Sequence, residues 1–124
     1  MSRIGPKDTK PEKTVRSLLH NLGYRFRLHC DNLPGKPDIV MKKYRTVIFI
    51  HGCFWHQHNG CKNAVVPKTN TEKWILKLTK NKERDLRNNK MLSENGWNVL
   101  TIWECETEKP ETLRTRLLKI KSEL

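Results

Sequence analysis

The alternation of helical and strand-like segments predicts an α/β sandwich, in which helices cover both faces of a small mixed sheet. Apolar residues recur at helical spacing near both ends of the chain and in a long basic segment between them, and short β-branched runs separate these segments. The 124 residues suit one domain, and a hydrophobic content of 35% suffices for a thin core. We expect a single domain over residues 1–124, with a loose start at residues 1–8.

The first helix is predicted to begin near Thr9, which can cap it, with Glu12 at the capping-box position three residues later. Gly23 is placed to end this helix. The apolar stripe between these limits consists of Val15, Leu18, Leu19 and Leu22. Residues 24–28 then alternate apolar and basic side chains, as a half-buried strand does.

Two further strands are predicted before the middle of the chain. The segment 31–37 has the composition of a turn, and residues 38–41 form a short strand after it. Residues 45–50 are the most strand-like run, and their β-branched and aromatic side chains favour burial on both faces. The following stretch, 51–68, is irregular and rich in histidine and cysteine.

Two helices flank the last predicted strand, which covers residues 97–103. Thr71 can cap a long, unusually basic helix that runs to about Asn95 and stops at Gly96. The apolar stripe of this helix is thin and consists of Ile75, Leu78, Leu86 and Leu92. Pro110 suits the first turn of the last helix.

The chain carries 25 Lys and Arg residues against 13 Asp and Glu residues, which gives a formal net charge of +12. Such an excess points to a polyanionic partner, most simply nucleic acid. No apolar run approaches the roughly 20 residues that cross a bilayer, and the start lacks the apolar region of a signal peptide. We expect a cytoplasmic protein with no membrane partner.

Cysteine and histidine cluster in the irregular stretch 51–68. In a reducing compartment, such a cluster favours metal binding over disulfide formation. Three thiolates and one imidazole are a common ligand set for structural Zn²⁺. The candidate ligands are Cys53, His58, Cys61 and Cys105. Two alternatives stay open at this point, with Cys30 in place of Cys105, or His56 in place of His58.

If Zn²⁺ takes His58, then His51 and His56 remain beside the end of the strand 45–50. A hairpin would bring Asp38 close to the same place. A carboxylate near two imidazoles on a basic protein suggests metal-assisted hydrolysis of a phosphodiester bond. The carboxylate would hold Mg²⁺, and a neutral histidine would take the proton from the attacking water. The alternative is a turn aspartate beside solvated loop histidines.

Three segments of the chain resemble the very-short-patch-repair endonucleases. Residues 33–38 are LPGKPD, residues 44–56 are YRTVIFIHGCFWH, and residues 103–105 are WEC. Residues 80–85, KNKERD, fit the family between the second and third segments. The string HGCFWH is highly specific, and the resemblance extends from about residue 1 to residue 105.

The resemblance implies a restriction-endonuclease-like fold, which is a three-layer sandwich. It implies an enzyme that nicks one strand of double-stranded DNA on the 5′ side of the thymine in T·G mismatches. The same four Zn²⁺ ligands match the family, which leaves Cys30 as a spectator. We expect a bacterial, cytoplasmic monomer that is associated with the nucleoid when bound to DNA, with other mismatch-repair proteins as further partners.

The resemblance also assigns catalytic roles. Asp38 and the backbone carbonyl of Ile50 match the ligands of a catalytic Mg²⁺. His56 matches the general base, and His51 matches a histidine at the scissile phosphate. The further acidic residues of the active centre are Glu12 and Asp85.

Aromatic residues of this family wedge into the base stack beside the mismatch, which is easier to unstack than a normal pair. The matching residues are Phe54, Trp55 and Trp74. We also expect Lys68, Lys80 and Asn81 to contact DNA. Two other functions stay open: a nuclease of this fold that cuts unmismatched DNA, and a non-catalytic, zinc-stabilised module that binds nucleic acid.

Overall fold

The structure is a computed structural model that describes residues 10–28, 32–54, 56, 58, 61 and 64–122. The elements in this part of the chain are α1 (Lys10–Asn21), β1 (Arg27–Leu28), β2 (Ile39–Met41), β3 (Thr46–His51), α2 (Thr71–Glu94), β4 (Asn98–Trp103) and α3 (Pro110–Ser122). A short 3₁₀ helix, Glu104–Glu108, joins β4 to α3. None of these helices combines the length and the apolar composition that crossing a bilayer requires.

The strands form one mixed sheet in the order β1–β2–β3–β4. The first two pairings are antiparallel, and β3 pairs with β4 in parallel, so that Thr46 lies opposite Asn98 and His51 opposite Trp103. A parallel pair needs a crossover connection, and α2 supplies it. The predicted small mixed sheet is therefore confirmed.

Two apolar cores cover the two faces of the sheet, because successive residues of a strand point to opposite faces. Residues of α1 and α3 pack with Ile39, Ile48 and Ile102 on one face. Leu92 of α2 packs with Val47 and Phe49 on the other. β3 is buried on both faces, as predicted. The expected sandwich of helices on both sides of a sheet is therefore present.

The first strand is shorter than predicted, because Tyr24 forms hydrogen bonds to α1 and α3. Its N–H donates to the carbonyl of Leu19 at the end of α1 (3.0 Å), so it is not available to a strand ladder. The ring is buried, and its hydroxyl donates to the carbonyl of Leu117 in α3 (2.6 Å). Only Arg27 and Leu28 pair with β2.

The long helix α2 ends as predicted but begins differently. Gly96 has a φ of +87°, and the backbone N–H of Trp97 donates to the carbonyl of Leu92 (3.0 Å), which is the bond of a Schellman C-cap. At the other end, the prediction that Thr71 caps the helix is wrong. The cap position is Asn70, and the Thr71 hydroxyl donates to the carbonyls of Pro67 and Lys68 instead. The predicted Thr9 cap of α1 lies outside the described residues.

The thin apolar stripe of α2 is only half confirmed. Leu78 and Leu92 are buried, but the side chains of Ile75 and Leu86 are 50% and 67% exposed. The helix therefore contacts the sheet along a narrower line than the spacing of its apolar residues predicts.

Arg45 connects the β2–β3 hairpin to the end of α2. It has a φ of +50° and closes the turn, so β3 begins at Thr46, one residue later than predicted. Its guanidinium lies 4.3 Å from the ring centre of Trp97 and donates to the carbonyl of Asn95 (3.0 Å). These contacts connect the C-terminal end of α2 to the start of β3, which is the opposite end of that strand from His51.

Candidate functional site

A cleft of about 510 Å³ opens between α2 and the end of β3. One wall is the loop before β2 and the last residues of β3, and the other is the middle of α2. The residues lining the cleft are Gly35, Lys36, Asp38, Phe49, Ile50, His51, His56, Arg84, Asp85, Asn88 and Asn89. Four of the five predicted catalytic residues are therefore in one cleft.

Asp38 directly precedes β2, and the hairpin brings it to the end of β3, as expected. Its Oδ2 atom accepts a hydrogen bond from the backbone N–H of Ile50 (2.7 Å). The carboxylate and the Ile50 peptide thus lie side by side on neighbouring strands. Carboxylate and carbonyl oxygens are the kind of ligand that Mg²⁺ prefers, so the donor set at this point suits that ion.

His51 is buried at the end of β3, and its ring stacks on that of His56. The ring centres are 3.8 Å apart and the rings are nearly parallel, at 6°. The pKa of His51 is lowered to about 4, first by burial and then by the charge of His56, while Asp85 opposes the shift. His51 is therefore neutral at pH 7.

His56 is paired with Asp85 of α2. The Nδ1 atom of His56 lies 2.5 Å from the Oδ2 atom of Asp85. Burial raises the pKa of Asp85, but the hydrogen bond and charge of His56, with smaller effects of His51 and Arg84, outweigh burial, and the net pKa is lowered. An ionised carboxylate only accepts, so Nδ1 carries the proton and Nε2 of a neutral His56 is left as a proton acceptor.

Gly35 lets the loop before β2 approach α2 closely. It has a φ of +75°, and a Cβ atom at this position would lie 3.0 Å from the Asn88 side-chain nitrogen and 3.1 Å from the Phe49 ring. The sequence predicts a turn here, but no pattern in it marks Gly35 or Asn88 as lining the site. The Pro-Gly pair was the available signal for the turn, but its contact with α2 is a tertiary feature.

The second cluster consists of Cys53, His58, Cys61 and Cys105, one ligand atom of each lying within 4.8 Å of the others. The Nδ1 atom of His58 is 3.7 Å from Cys53 Sγ and 3.4 Å from Cys105 Sγ. In tetrahedral Zn²⁺ sites with bonds of about 2.3 Å to sulfur and about 2.0 Å to nitrogen, these atoms are about 3.6 Å apart. Both sulfur–nitrogen distances are therefore close to those of a tetrahedral Zn²⁺ site.

Backbone hydrogen bonds between residues close in sequence shape the loop that carries this cluster. The N–H of His58 donates to the carbonyl of Cys53 (2.9 Å), and that of Cys61 donates to the carbonyl of His58 (3.2 Å). Cys105 comes from the 3₁₀ helix after β4. Burial raises the pKa of Cys53 to about 12 and also raises the pKa of Cys105, so metal binding must displace thiol protons.

The two alternatives for the metal ligands have different outcomes. His56 is paired with Asp85, and His58 is the histidine that faces the thiols. Cys30 lies outside the described residues. Glu12 is buried in the first turn of α1, at 6% exposure, and is not among the residues that line the cleft. Its catalytic role stays a prediction.

The predicted DNA-contacting residues that the structure describes lie in the first half of α2 and in the loop between β3 and α2. The rings of Phe54 and Trp74 meet edge to face, with centres 5.4 Å apart, and both are half-buried. Lys68 and Lys80 are exposed. The Asn81 side-chain oxygen accepts a hydrogen bond from Arg84 (3.3 Å). Trp55 lies outside the described residues.

The cleft brings together a carboxylate, two histidines and a second carboxylate, a set of groups that suits hydrolysis, and the separate Cys₃His cluster could hold a metal ion. The family model described as DNA mismatch endonuclease Vsr matches residues 1–63. The chain belongs to this family, which confirms the resemblance seen in the sequence.

Three relatives illustrate the similarity. The type II nicking enzyme V.XorIIP of Xanthomonas oryzae pv. oryzae is 48% identical over 97% of this chain and 88% of its own length. The type II nicking enzyme V.NmeAIP of Neisseria meningitidis is 45% identical over 100% of this chain and 88% of its own length. The DNA mismatch endonuclease Vsr of Escherichia coli is 48% identical over 95% of this chain and 75% of its own length.

Proposed function

We propose that this chain is a Mg²⁺-dependent endonuclease that nicks one strand of double-stranded DNA on the 5′ side of the thymine in a T·G mismatch. The observation that carries the proposal is the His56–Asp85 pair, which faces the same cleft as Asp38 in a member of the Vsr family. We assign residues 1–124 to a single domain of restriction-endonuclease-like fold. The three-layer arrangement around the mixed sheet supports this assignment.

Asp38 and the backbone carbonyl of Ile50 would hold the Mg²⁺. The 2.7 Å hydrogen bond between the Asp38 carboxylate and the Ile50 N–H keeps the two residues together. A backbone ligand does not depend on the side chain at position 50, so isoleucine is compatible with this role. When bound, Mg²⁺ would neutralise the negative charge that develops on the scissile phosphate.

His56 acts as the general base in this proposal. Its Nε2 atom takes a proton from the attacking water, whose oxygen forms a new bond to phosphorus while the bond from phosphorus to the leaving oxygen breaks. Asp85 is a positioning residue, because its carboxylate holds Nδ1–H and stabilises the imidazolium that forms.

His51 contacts the scissile phosphate as a neutral hydrogen-bond donor. Its low pKa excludes a permanent positive charge at pH 7, so the positive charge near the phosphate comes from Lys36 and Arg84, which also line the cleft. Glu12 would hold a metal-bound water.

Cys53, His58, Cys61 and Cys105 hold a structural Zn²⁺ in this proposal. Bound Zn²⁺ would join the loop after β3 to the 3₁₀ helix after β4. This loop carries His56 and directly follows His51, so the metal would stabilise the part of the chain that performs the chemistry. The fit of the sulfur–nitrogen distances to a tetrahedral site supports the assignment.

Mismatch recognition would come from aromatic residues. Phe54 and Trp74, together with Trp55, would wedge into the stack where a T·G pair is easier to open than a normal pair. The remaining predicted DNA contacts are Lys68, Lys80 and Asn81. The name of the E. coli relative, a DNA mismatch endonuclease, supports this substrate. We place the enzyme in the bacterial cytoplasm as a monomer, with mismatch-repair proteins as further partners.

A nicking assay tests the proposal. End-labelled duplexes with one T·G mismatch, or with T·A at the same position, are incubated with the enzyme in Mg²⁺ or in EDTA at low salt. We expect Mg²⁺-dependent nicking beside the mismatched thymine and none of the T·A duplex. Equal nicking of both duplexes would replace mismatch repair with a nuclease of unmismatched DNA. Binding without nicking would point to a non-catalytic DNA-binding module.

A further inference from the structure

Trp103 lies between two clusters of side chains: the histidines of the cleft and the Cys₃His cluster. It is the last residue of β4, opposite His51 in the parallel register. Its ring stacks on the imidazole of His58, with centres 4.2 Å apart and an angle of 8°. It also meets the ring of His51 edge to face, at 5.3 Å and 74°. His51 in turn stacks on His56, so one indole touches a ring from each cluster.

We propose that Trp103 is a positioning residue that sets the ring orientation of His58 on one side and of His51 on the other. The part that concerns His51 rests on the function proposed above. The part that concerns His58 rests only on the Cys/His cluster.

The first reason is that imidazole rings need an external restraint. The torsion that rotates a histidine ring about its own axis has a broad energy profile, so the ring is easily turned. His58 faces Cys53 and Cys105 through Nδ1 only while its ring keeps the present plane. A flat indole against that ring restricts the rotation and keeps Nδ1 directed at the sulfurs.

The second reason is that the His51 ring lies between two others. One face of the ring stacks on His56, and the ring also meets Trp103. Because His56 is the general base in the proposed reaction, a shift of His51 would disturb the ring stacked on it. Trp103 therefore acts on the cleft through His51, without lining the cleft itself.

The third reason is that Trp103 is itself held firmly. Its backbone N–H donates to Oε1 of Glu106 (3.0 Å). Glu106 also forms an ion pair with Arg116 of α3, and Arg116 donates to the carbonyl of Thr101 in β4 (3.2 Å). This bracket fixes the end of β4 to α3, so the indole is attached to a rigid part of the fold.

The test uses Trp103→Leu, which removes the flat ring, and Trp103→Phe, which keeps a smaller one. Trp97→Leu is the matched control. Trp97 directly precedes the other end of β4, is half-buried, and packs with the core on the side of Leu92. It therefore reports the general cost of losing a tryptophan. All proteins are loaded with Zn²⁺.

Two readouts are compared with wild type: the single-turnover nicking rate at saturating enzyme, with the Kd for DNA measured separately, and the rate of Zn²⁺ release to a chelator. Loss of a residue that orients a metal ligand typically lowers metal affinity or activity by about 10–100-fold. We therefore expect Trp103→Leu to nick at least 10-fold more slowly and to release Zn²⁺ about 10-fold faster, at an unchanged Kd for DNA. Trp103→Phe should recover most of both rates, and Trp97→Leu should match wild type.

The proposal is overturned if Trp103→Leu matches Trp97→Leu in both readouts, or if Trp103→Phe is no better than Trp103→Leu. A wild-type protein that does not nick refutes the function proposed above, and the Zn²⁺ release rates then decide on Trp103 alone. A wild-type protein that retains no Zn²⁺ after loading also overturns the proposal.

Discussion

The cleft and the Cys₃His cluster share the loop that follows β3, but their donor groups and their arrangement differ. The Cys₃His cluster is made of soft ligands that converge on one point, which is typical of closed, structural metal sites. The cleft is made of oxygen and nitrogen groups that lie along an open wall, held by a hydrogen bond and ring stacking. Within a few residues, this loop holds a buried candidate metal ligand, Cys53, and a partly exposed candidate base, His56.

Removing a ligand of the Cys₃His cluster should have the largest effect, because Zn²⁺ binding contributes folding free energy, about 10 kcal/mol or more in small zinc domains. We expect Cys105→Ala to lose stoichiometric Zn²⁺ and to lower the melting temperature strongly, by the same amount as chelation of the wild type. Metal analysis and thermal melting measure this. Cys30→Ala is the control and should keep the metal; the reverse result would show that the ligand set is wrong.

Removing the proposed catalytic groups should slow nicking strongly without disturbing the Cys₃His cluster. General base catalysis contributes about 10²–10⁴-fold, so we expect His56→Ala to slow nicking by that factor, and Asp38→Ala to slow it at least as much. Both variants should keep Zn²⁺ and DNA binding. Single-turnover rates on a T·G duplex measure the effect, and wild-type nicking by either variant would refute the role of that residue.

Altering the support of the general base should have a smaller effect. Asp85→Asn leaves a neutral side chain beside His56 Nδ1, which can donate to it and favour the wrong tautomer. We expect nicking to fall by about 10–100-fold, with little change in melting temperature. Glu83→Gln, an exposed change on the same helix, is the control and should nick like wild type. Equal rates for the two variants would show that Asp85 does not position His56.

The smallest effect is expected where the loop before β2 approaches α2. Gly35→Ala places a Cβ atom on a left-handed backbone, which lowers the free energy of unfolding by about 1–2 kcal/mol, and it also displaces Asn88. Gly96→Ala is the matched control, since its φ is +87° but its nearest neighbour is the flexible end of Arg45 at 3.4 Å. Urea unfolding should show a larger loss for Gly35→Ala, and only this variant should also slow nicking. Similar losses in both proteins would leave backbone strain as the whole cause.

Local signals in the sequence predict local structure well in this protein. Gly23 and Gly96 end their helices as predicted, because glycine adopts the left-handed conformation that a C-cap requires. The β-branched run of β3 is buried on both faces. Predictions were wrong where a tertiary contact outweighed a local preference. The backbone of Tyr24 caps α1 and does not join β1, and the Thr71 hydroxyl bonds to the preceding loop and not to the helix it was expected to cap.

The sequence by itself determined which chemistry is available. It placed thiols and imidazoles within one short loop, a carboxylate before a strand, and a net charge of +12 on the whole chain. The tertiary structure alone decided the pairings. His56 and Asp85 are 29 residues apart, and Cys105 is 47 residues from His58. The contact of Trp103 with a ring from each cluster likewise follows from the parallel register of β3 and β4. No local preference encodes contacts between residues so far apart in the sequence, because these contacts depend on how the sheet and α2 pack together.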